Sequence, residues 1–479
     1  MLASELVSLI NQIKQKRTEE QRIELKKADK GTPQRLYDIL SSFSNQSGGG
    51  IIVFGIDEDN QYNVCGVYDP KDLQVQVNNQ AKQMTPVVRP LFTVAQYEGK
   101  VVVSAEIAEC DIYEKPCFYT GAGRMKGSCV RCGDSDEPMT EYEVYSYEVF
   151  KRGIQDELNP VERAELSDLD SNRLTLYLAK IKQEKRNLSL LPEDKILKLQ
   201  GITDGVKPTI AGMMVLGEYP QGFFPQLSIT AMVIAGKEIG DLGQNQERFI
   251  DNKRIEGTIP QMLEESISFV SRNMKVSTII NEEGKRVDLP EYPLKAIREL
   301  ILNALVHRDY SIHTVNSPIR IILYHNRLEV ENPGGLYGRI TIDNLGKVSA
   351  DTRNPFISGA LELLIDTENR FSGIPTVLNE MEQAGLYPPV FESRRGCFKA
   401  TLYNERVQAI DLNNGNSIKS RILEYCSEPR TREEIARYLN IEAQYYMVVK
   451  YLKPLIAEGK LRMTIPDRPK SKKQKYVCV

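Results

Sequence analysis

Alternation between apolar and polar positions divides this chain into helix-period and strand-period stretches. The first 21 residues follow an amphipathic helix pattern, with the helix expected over Leu2–Gln15. A short strand is expected at Arg22–Lys26. The segment TPQRLYDILSSFSNQS reads as a helix, with Thr32 as N-cap and Pro33 at the first helical position. Gly48, Gly49 and Gly50 would end it. The run IIVFGID is apolar and rich in β-branched residues, as a buried strand requires. Two more strands, Phe92–Gln96 and Val101–Ile107, flank a turn at Tyr97–Lys100.

The pattern is less distinctive past residue 150. Helices are expected near Asp170–Gln183 and Pro192–Leu199, and strands at Gly212–Gly217 and Leu227–Ala235. Gly236–Arg254 reads as a polar loop, Ile259–Asn273 as a helix, and KVSTIINEEGKRVDL as a hairpin closed by Glu283-Gly284. In EYPLKAIRELILNALVH, Leu294, Ile297, Ile301, Leu302 and Leu305 recur at helical spacing. IRIILYHNRLEVENPGG then reads as two strands around His325-Asn326-Arg327. An Asn-rich linker, Asp411–Ser417, precedes three helices, Ser417–Cys426, Thr431–Leu439 and Ala443–Glu458, and a short hairpin. Thr431 would cap the second helix, with Glu433 and Glu434 in its first turn, and Pro454 would kink or shorten the third.

Length and charge refine this outline. The 479 residues suggest about three domains. The divisions expected are an α/β unit at 1–150, an α+β connecting region at 151–290, a second α/β unit at 291–405 and the three-helix unit at 416–479. The fold class is therefore α/β (α+β) and multidomain. No run of 18 apolar residues exists, so no membrane span is expected, and the N-terminus lacks a secretory leader pattern. Eight irregularly spaced cysteines then read as reduced thiols of a cytoplasmic protein. The net charge of -3 conceals an asymmetry. Residues 416–479 hold 14 Lys/Arg against 7 Asp/Glu, a surplus of +7 that leaves the rest of the chain at -10. A basic end on an acidic body suits a polyanionic partner.

Three short helices followed by a β-wing describe a winged helix-turn-helix, a reader of duplex DNA. Gln444, Tyr445 and Tyr446 would open its third helix against base edges or phosphates, with Lys450 and Lys453 further along. Arg462, Arg468, Lys470, Lys472, Lys473 and Lys475 would supply phosphate contacts from the wing and tail. The same architecture also serves protein docking, and a Lys-rich tail can be a solvated end.

Glu299 and Asn303 are four apart and share a helix face. A carboxylate and an amide there suit hydrated Mg²⁺ with nucleotide phosphates, since Mg²⁺ prefers oxygen ligands and keeps waters. Asn332–Leu336, NPGGL, would let backbone approach a ligand closely, and FSGI at Phe371–Ile374 is a second glycine turn before a helix. Taken singly these also read as a solvated face and ordinary turns. In combination, REL-xx-NA-xx-HRDYS, ENPGGL, RNP, a Gly-Ile turn and M-x-x-x-G-L resemble the ATPase-like domain of the RecG-related family, an α/β sandwich akin to the GHKL ATPases. The resemblance implies that Asn303 holds Mg²⁺ and Glu299 acts as base. It also implies that Asn332, Gly334, Gly335, Arg353, Asn354 and Gly373 surround ATP. Two positions depart from the pattern: Asn332-Pro333 stands where the family has Asp, and Phe371 where it has glycine. His307, Arg308 and Asp309 read either as functional groups or as a C-terminal helix cluster.

The N-terminal segments IELKKA, SFSNQSGGGIIVFGIDE, Gly66-Val67-Tyr68 and SCVRCGD resemble the Schlafen AlbA domain, associated with nucleic-acid binding. That resemblance implies a phosphate contact for Arg131, joined by Arg124 and Lys126. It also places Glu19, Glu24 and Glu58, beside Asp57, on the three carboxylates of an RNase site, which could hold a divalent metal. Cys110, Cys117, Cys129 and Cys132 could in principle bind zinc, but the first pair is too widely spaced for a usual site, so incidental thiols are favoured. The whole order resembles bacterial transcriptional regulators with these three modules. The expected function is a DNA-binding regulator, a homo-oligomer whose central domain binds ATP and Mg²⁺. The alternative is a nucleic-acid-processing enzyme in stress or phage defence, ATP-dependent or a metal-dependent nuclease. A third option is an inactive ATPase-like fold that serves assembly. No G-x-x-x-x-G-K-[ST] phosphate loop is present, so a helicase motor is not expected.

Overall fold

The opening amphipathic stretch folds as helix α1 (Ala3–Lys16) and buries Leu6, Ile10 and Ile13 with Ile23, Leu25, Val53 and Val102. Those three positions recur at four and three, so one stripe of the helix meets the core. The structure is a computed structural model that describes residues 1–16, 21–133, 135–243, 246–280, 286–349, 351–365, 373–394, 396–406, 415–439, 447–466 and 474–478. Two compact units are present, Met1–Ile154 and Gln155–Val479.

In the first unit, strands β1 (Ile23–Lys26), β2 (Gly50–Phe54), β3 (Leu91–Tyr97) and β4 (Lys100–Ile107) form one sheet in the order β1-β2-β4-β3. β1 and β2 are parallel and the other pairs antiparallel. Helix α2 (Tyr37–Asn45) covers the face opposite α1 with Leu40 and Phe43. It starts later than Thr32-Pro33 predicts. The Gln80 side chain donates to Pro33 O and accepts from Leu36 N–H, which holds residues 33–36 out of the helix. That long-range amide has no local signature. Gln80 lies on α3 (Pro70–Ala81), and a short antiparallel pair, β5 (Cys129–Cys132) and β6 (Ser135–Pro138), and α4 (Glu141–Arg152) complete the unit.

The second unit opens with α5 (Ser171–Glu184), α6 (Glu193–Leu199) and α7 (Ile210–Leu216). The last of these stands where the sequence pattern predicts a strand. All seven of its residues are buried, so no polar face reports a helical period, and Thr209 caps it by accepting from Gly212 N–H. A six-stranded sheet follows, built from β7 (Ile229–Ile234), β8 (Phe249–Ile255), β11 (Ile319–Leu323), β12 (Arg327–Pro333), β13 (Val390–Arg394) and β14 (Cys397–Tyr403). Its order is β8-β7-β11-β12-β14-β13, with β7 and β11 parallel. β8 replaces part of the expected loop. It is an edge strand with mostly exposed side chains, so its polar sequence hid the pairing.

Helices α8 (Ile259–Asn273) and α9 (Leu294–His307) pack with this sheet in one core that runs from Val161 to Leu402. Between them, β9 (Val276–Ile280) and β10 (Arg286–Pro290) form the expected hairpin, whose turn residues Glu283-Gly284 lie outside the described residues. Helices α10 (Pro355–Leu364) and α11 (Gly373–Gln383) close the same core through Ile357, Leu361, Val377 and Met381.

The C-terminal elements are α12 (Gly415–Tyr425), β15 (Arg430–Thr431), α13 (Arg432–Leu439), a wide π turn at Val448–Leu452, α14 (Lys453–Ala457), β16 (Leu461–Met463) and β17 (Lys475–Cys478). The three strands pair in the order β15-β17-β16 over a core of Ile418, Ile422, Ile435, Leu452, Leu455 and Tyr476. Thr431 and Glu434 cap α13 reciprocally, side chain to backbone in both directions. The π turn precedes Pro454. Proline offers no N–H to continue the ladder, so the helix widens before it. Among the described residues no helix is long and apolar enough to cross a membrane.

Candidate functional site

The apolar positions of α9 turn Ile297, Leu300, Ile301 and Leu305 into the core. Glu299 and Asn303 are left on the margin of that face, both only partly exposed. Burial raises the pKa of the Glu299 carboxyl, and Arg298, 3.9 Å away, partly offsets it. The Nδ2 atom of Asn303 is buried and has no hydrogen-bond partner among the described residues. Gly373 begins α11 directly against it: a Cβ at position 373 would lie 2.7 Å from Nδ2 and 3.1 Å from Oδ1 of Asn303. The structure thus brings together the first helix pair and the second glycine turn expected from sequence. Phe371 and Ser372 of that turn lie outside the described residues.

A second cluster forms where β12 ends. Asn332 is buried on this strand, with Oδ1 unpartnered. Gly334 takes φ +109, and a Cβ there would lie 2.5 Å from Arg353 Nη1 and 2.8 Å from Asp309 Cβ. Only glycine meets both demands. Arg353 is buried and holds three things at once. It forms an ion pair with Asp309 at 3.2 Å, donates to Gly335 O at 3.2 Å, and lies over the Tyr337 ring at 5.1 Å. Further along the loop after β12, Gly346 packs on the start of α11: a Cβ there would lie 3.1 Å from Ile374, next to Gly373.

Asn354, expected beside ATP, is engaged by backbone carbonyls. Its Nδ2 donates to Val306 O and Arg308 O, both at 2.7 Å, so it ties down the C-terminus of α9. His307 at that terminus is kept neutral: burial, then the nearby Arg353 charge, hold its pKa down to about 4. Arg308 is fully enclosed and donates to Thr314 O and Ser317 O. Asn354 and Arg308 thus hold the C-terminus of α9 and the loop after it through backbone carbonyls. Glu157 is the residue that sequence reasoning missed. Its buried carboxylate accepts from Phe356 N–H at 2.9 Å and Ile357 N–H at 2.8 Å, at the N-terminus of α10. Burial raises its pKa to about 7, against the two backbone donors. No local signal marks it, since its partners are about 200 residues away.

In the first unit, Arg131, for which a phosphate contact is expected, is enclosed by carboxylates. Arg131 is buried, paired with Glu24 at 2.7 Å and Asp136 at 3.2 Å. Burial alone would lower its pKa, but the two carboxylates outweigh that and raise it. Glu24 is buried beside both Arg131 and Lys26, so its charge is already neutralised. Asp57 pairs with Lys27 at 2.6 Å, and Glu58 is exposed. Glu19 lies outside the described residues. Arg124 bonds Glu148 and lies over Phe118, while Lys126 is exposed. Among the described residues no group of three or more His, Cys, Asp or Glu could hold a metal ion. Neither the four cysteines nor the described carboxylates form such a set.

At the C-terminal end, Lys450, Lys453, Arg462 and Lys475 are exposed. Gln444, Tyr445, Tyr446, Arg468, Lys470, Lys472 and Lys473 lie outside the described residues.

Three stretches match known families. Residues 19–140 match Schlafen, AlbA_2. Residues 316–402 match the family described as putative ATP-dependent DNA helicase recG C-terminal. Residues 419–478, where the sequence pattern predicts a winged helix, match the C-terminal domain of the filamentation induced by cAMP protein Fic-like. Glu299 and Asn303 precede the second match. The comparison with curated proteins gives no match. One similar solved structure is that of the DIP2311 protein from Corynebacterium diphtheriae, with 18% identity, 93% of this chain and 92% of that chain covered, and a TM-score of 0.40. Another is the N-terminal domain of a putative ATP-dependent DNA helicase RecG-related protein from Nitrosomonas europaea, with 26% identity, 29% of this chain and 94% of that chain covered, and a TM-score of 0.23. The chain is a mixed α/β multidomain protein, with a Schlafen AlbA_2-like domain and a RecG C-terminal, ATPase-like domain.

Proposed function

We propose that this chain is a DNA-binding transcriptional regulator whose second unit binds ATP with Mg²⁺ and acts as a homo-oligomer. The observation that supports the nucleotide site is the meeting of Asn303 with Gly373, beside the loop that Arg353 holds. The buried, unpartnered amide atoms of Asn303 and Asn332 fit a polar ligand, because such groups otherwise carry a desolvation cost. With no partner fixing Nδ2 of Asn303, either end of the amide can face the ligand. Mg²⁺, when bound, would neutralise phosphate charge, and Glu299 and Asn303 are the oxygen-bearing residues that would hold it. Gly335 leaves its backbone open to a ligand, and Arg353, packed against Gly334, keeps the loop in place.

The duplex-DNA reading rests on the C-terminal elements. Helix, strand, two helices and a two-stranded wing follow one another, with Lys450, Lys453 and Arg462 exposed and a surplus of +7 over residues 416–479. The winged-helix assignment belongs to this proposal. The nuclease alternative loses ground because Glu24 is neutralised by Lys26 and Arg131.

The test is calorimetric titration of Mg·ATP into wild type and Asn303→Ala, with and without duplex DNA. Binding by wild type, weakened at least tenfold in the variant and without turnover, supports the regulator. Turnover stimulated by DNA supports the enzyme, and no binding leaves an assembly role for the ATPase-like fold.

A further inference from the structure

We propose that β8, the edge strand of the six-stranded sheet, pairs antiparallel with β8 of a second copy, joining two sheets into one of twelve strands. This deepens the homo-oligomer part of the proposed function by naming its surface.

Strand edges present unpaired N–H and C=O groups, and proteins commonly blunt them with short strands, prolines, charges or bulges. β8 is seven residues long and contains no proline; its one bulge lies at its start, where Phe249 pairs with Ile234 and Asp251 with Val233, and its charged residues, Asp251, Lys253 and Arg254, are of both signs. Among the described residues no strand pairs with its outer side. The opposite edge strand, β13, differs: Val390 there is buried in the core of the C-terminal helices. Apolar side chains also gather at β8. Phe249 is 40% and Ile250 62% exposed, and Ile239 and Leu242 of the preceding loop are 63% and 57% exposed.

The sequence of the strand selects a second copy over an unrelated strand. FIDNKRI runs Phe249-Ile250-Asp251-Asn252-Lys253-Arg254-Ile255. A two-fold axis through Asn252 sets Asp251 opposite Lys253 of the partner subunit, twice. Opposite charges directly across an antiparallel pair attract, and like charges there repel. Both charged residues lie on the face that carries α8, where Lys253 bonds Glu265 and Asp251 accepts from Asn273 at 2.9 Å. A C₂ contact of this kind is closed and self-complementary, so it stops at two copies.

The experiment is sedimentation velocity of the full chain at micromolar concentration under reducing conditions, without DNA or nucleotide. Assembly is therefore judged separately from either binding activity. Wild type is expected to be a dimer. Asp251→Lys, which sets two positive charges across the pair from each other, is expected to weaken it by roughly tenfold or more. The double variant Asp251→Lys/Lys253→Asp restores opposite charges and should restore the dimer, which a merely misfolded variant would not do. Asn252→Cys, at the axis, should form a covalent dimer on mild oxidation with oxidised glutathione, beyond the level of wild type. A monomeric wild type overturns the proposal. So does a dimer that neither responds to Asp251→Lys nor cross-links at position 252.

Discussion

At the scale of residues, the second unit holds two titratable groups pushed in opposite directions. Glu157 has its pKa raised from 4.5 to about 7 by burial. A raised carboxyl favours the folded state at low pH, and this contribution is full below 4.5 and lost as pH rises through 7. With roughly 1.4 kcal/mol per pKa unit, the loss is on the order of 3 kcal/mol. His307 is depressed from 6.5 to about 4 by burial, then by Arg353. Its contribution is present above 6.5 and lost as pH falls through 4. Urea unfolding of Glu157→Gln across pH 4.5–8 should therefore show stability that falls less with rising pH than wild type. An unchanged slope would show that Glu157 does not titrate in this range. The arginines Arg131 and Arg353 were both legible in sequence as cations. Their partners Glu24, Asp136 and Asp309 decide that the first is a buried clamp and the second a loop support.

At the scale of elements, α9 carries the site on one margin and the core on the other. Asn354→Ala removes two hydrogen bonds at its C-terminus and should cost about 2 kcal/mol, seen as a lower thermal midpoint whether or not nucleotide is present. Asn303→Ala should leave the midpoint without nucleotide nearly unchanged, since Nδ2 has no partner to lose, and should abolish the rise that Mg·ATP produces. Equal effects of the two variants on the free protein would break this distinction. Helix α9, hairpin β9–β10 and the Thr431 cap of α13 were readable because each carries its own periodicity or cap. Helix α7 was not, because a helix buried all round shows no period. Strand β8 was not, because its edge position permits polar residues.

At the scale of the molecule, charge is distributed unevenly. The surplus of +7 lies over residues 416–479, and the rest of the chain stands at -10. Duplex affinity, measured by fluorescence anisotropy against salt, should fall steeply. Replacing Lys450, Lys453 and Arg462 together with alanine should reduce the log–log slope by up to about 0.9 for each phosphate left without its cation. A slope near zero in wild type would remove the duplex-DNA reading of the C-terminal elements.

The sequence by itself determined the elements that carry their own period or cap, the three chemically distinct stretches and the residues that could bear charge or bind a ligand. Periodicity, caps and glycine turns are local, and so is their record in the chain. Only the tertiary structure decided which of those residues are occupied. Burial and partners come from the meeting of distant segments, such as Glu157 with Phe356 and Ile357. It placed Asn303 against Gly373 and enclosed Arg131 between two carboxylates. It also left β8 at the edge of a sheet, because pairing order is a property of the assembled sheet and not of any one strand.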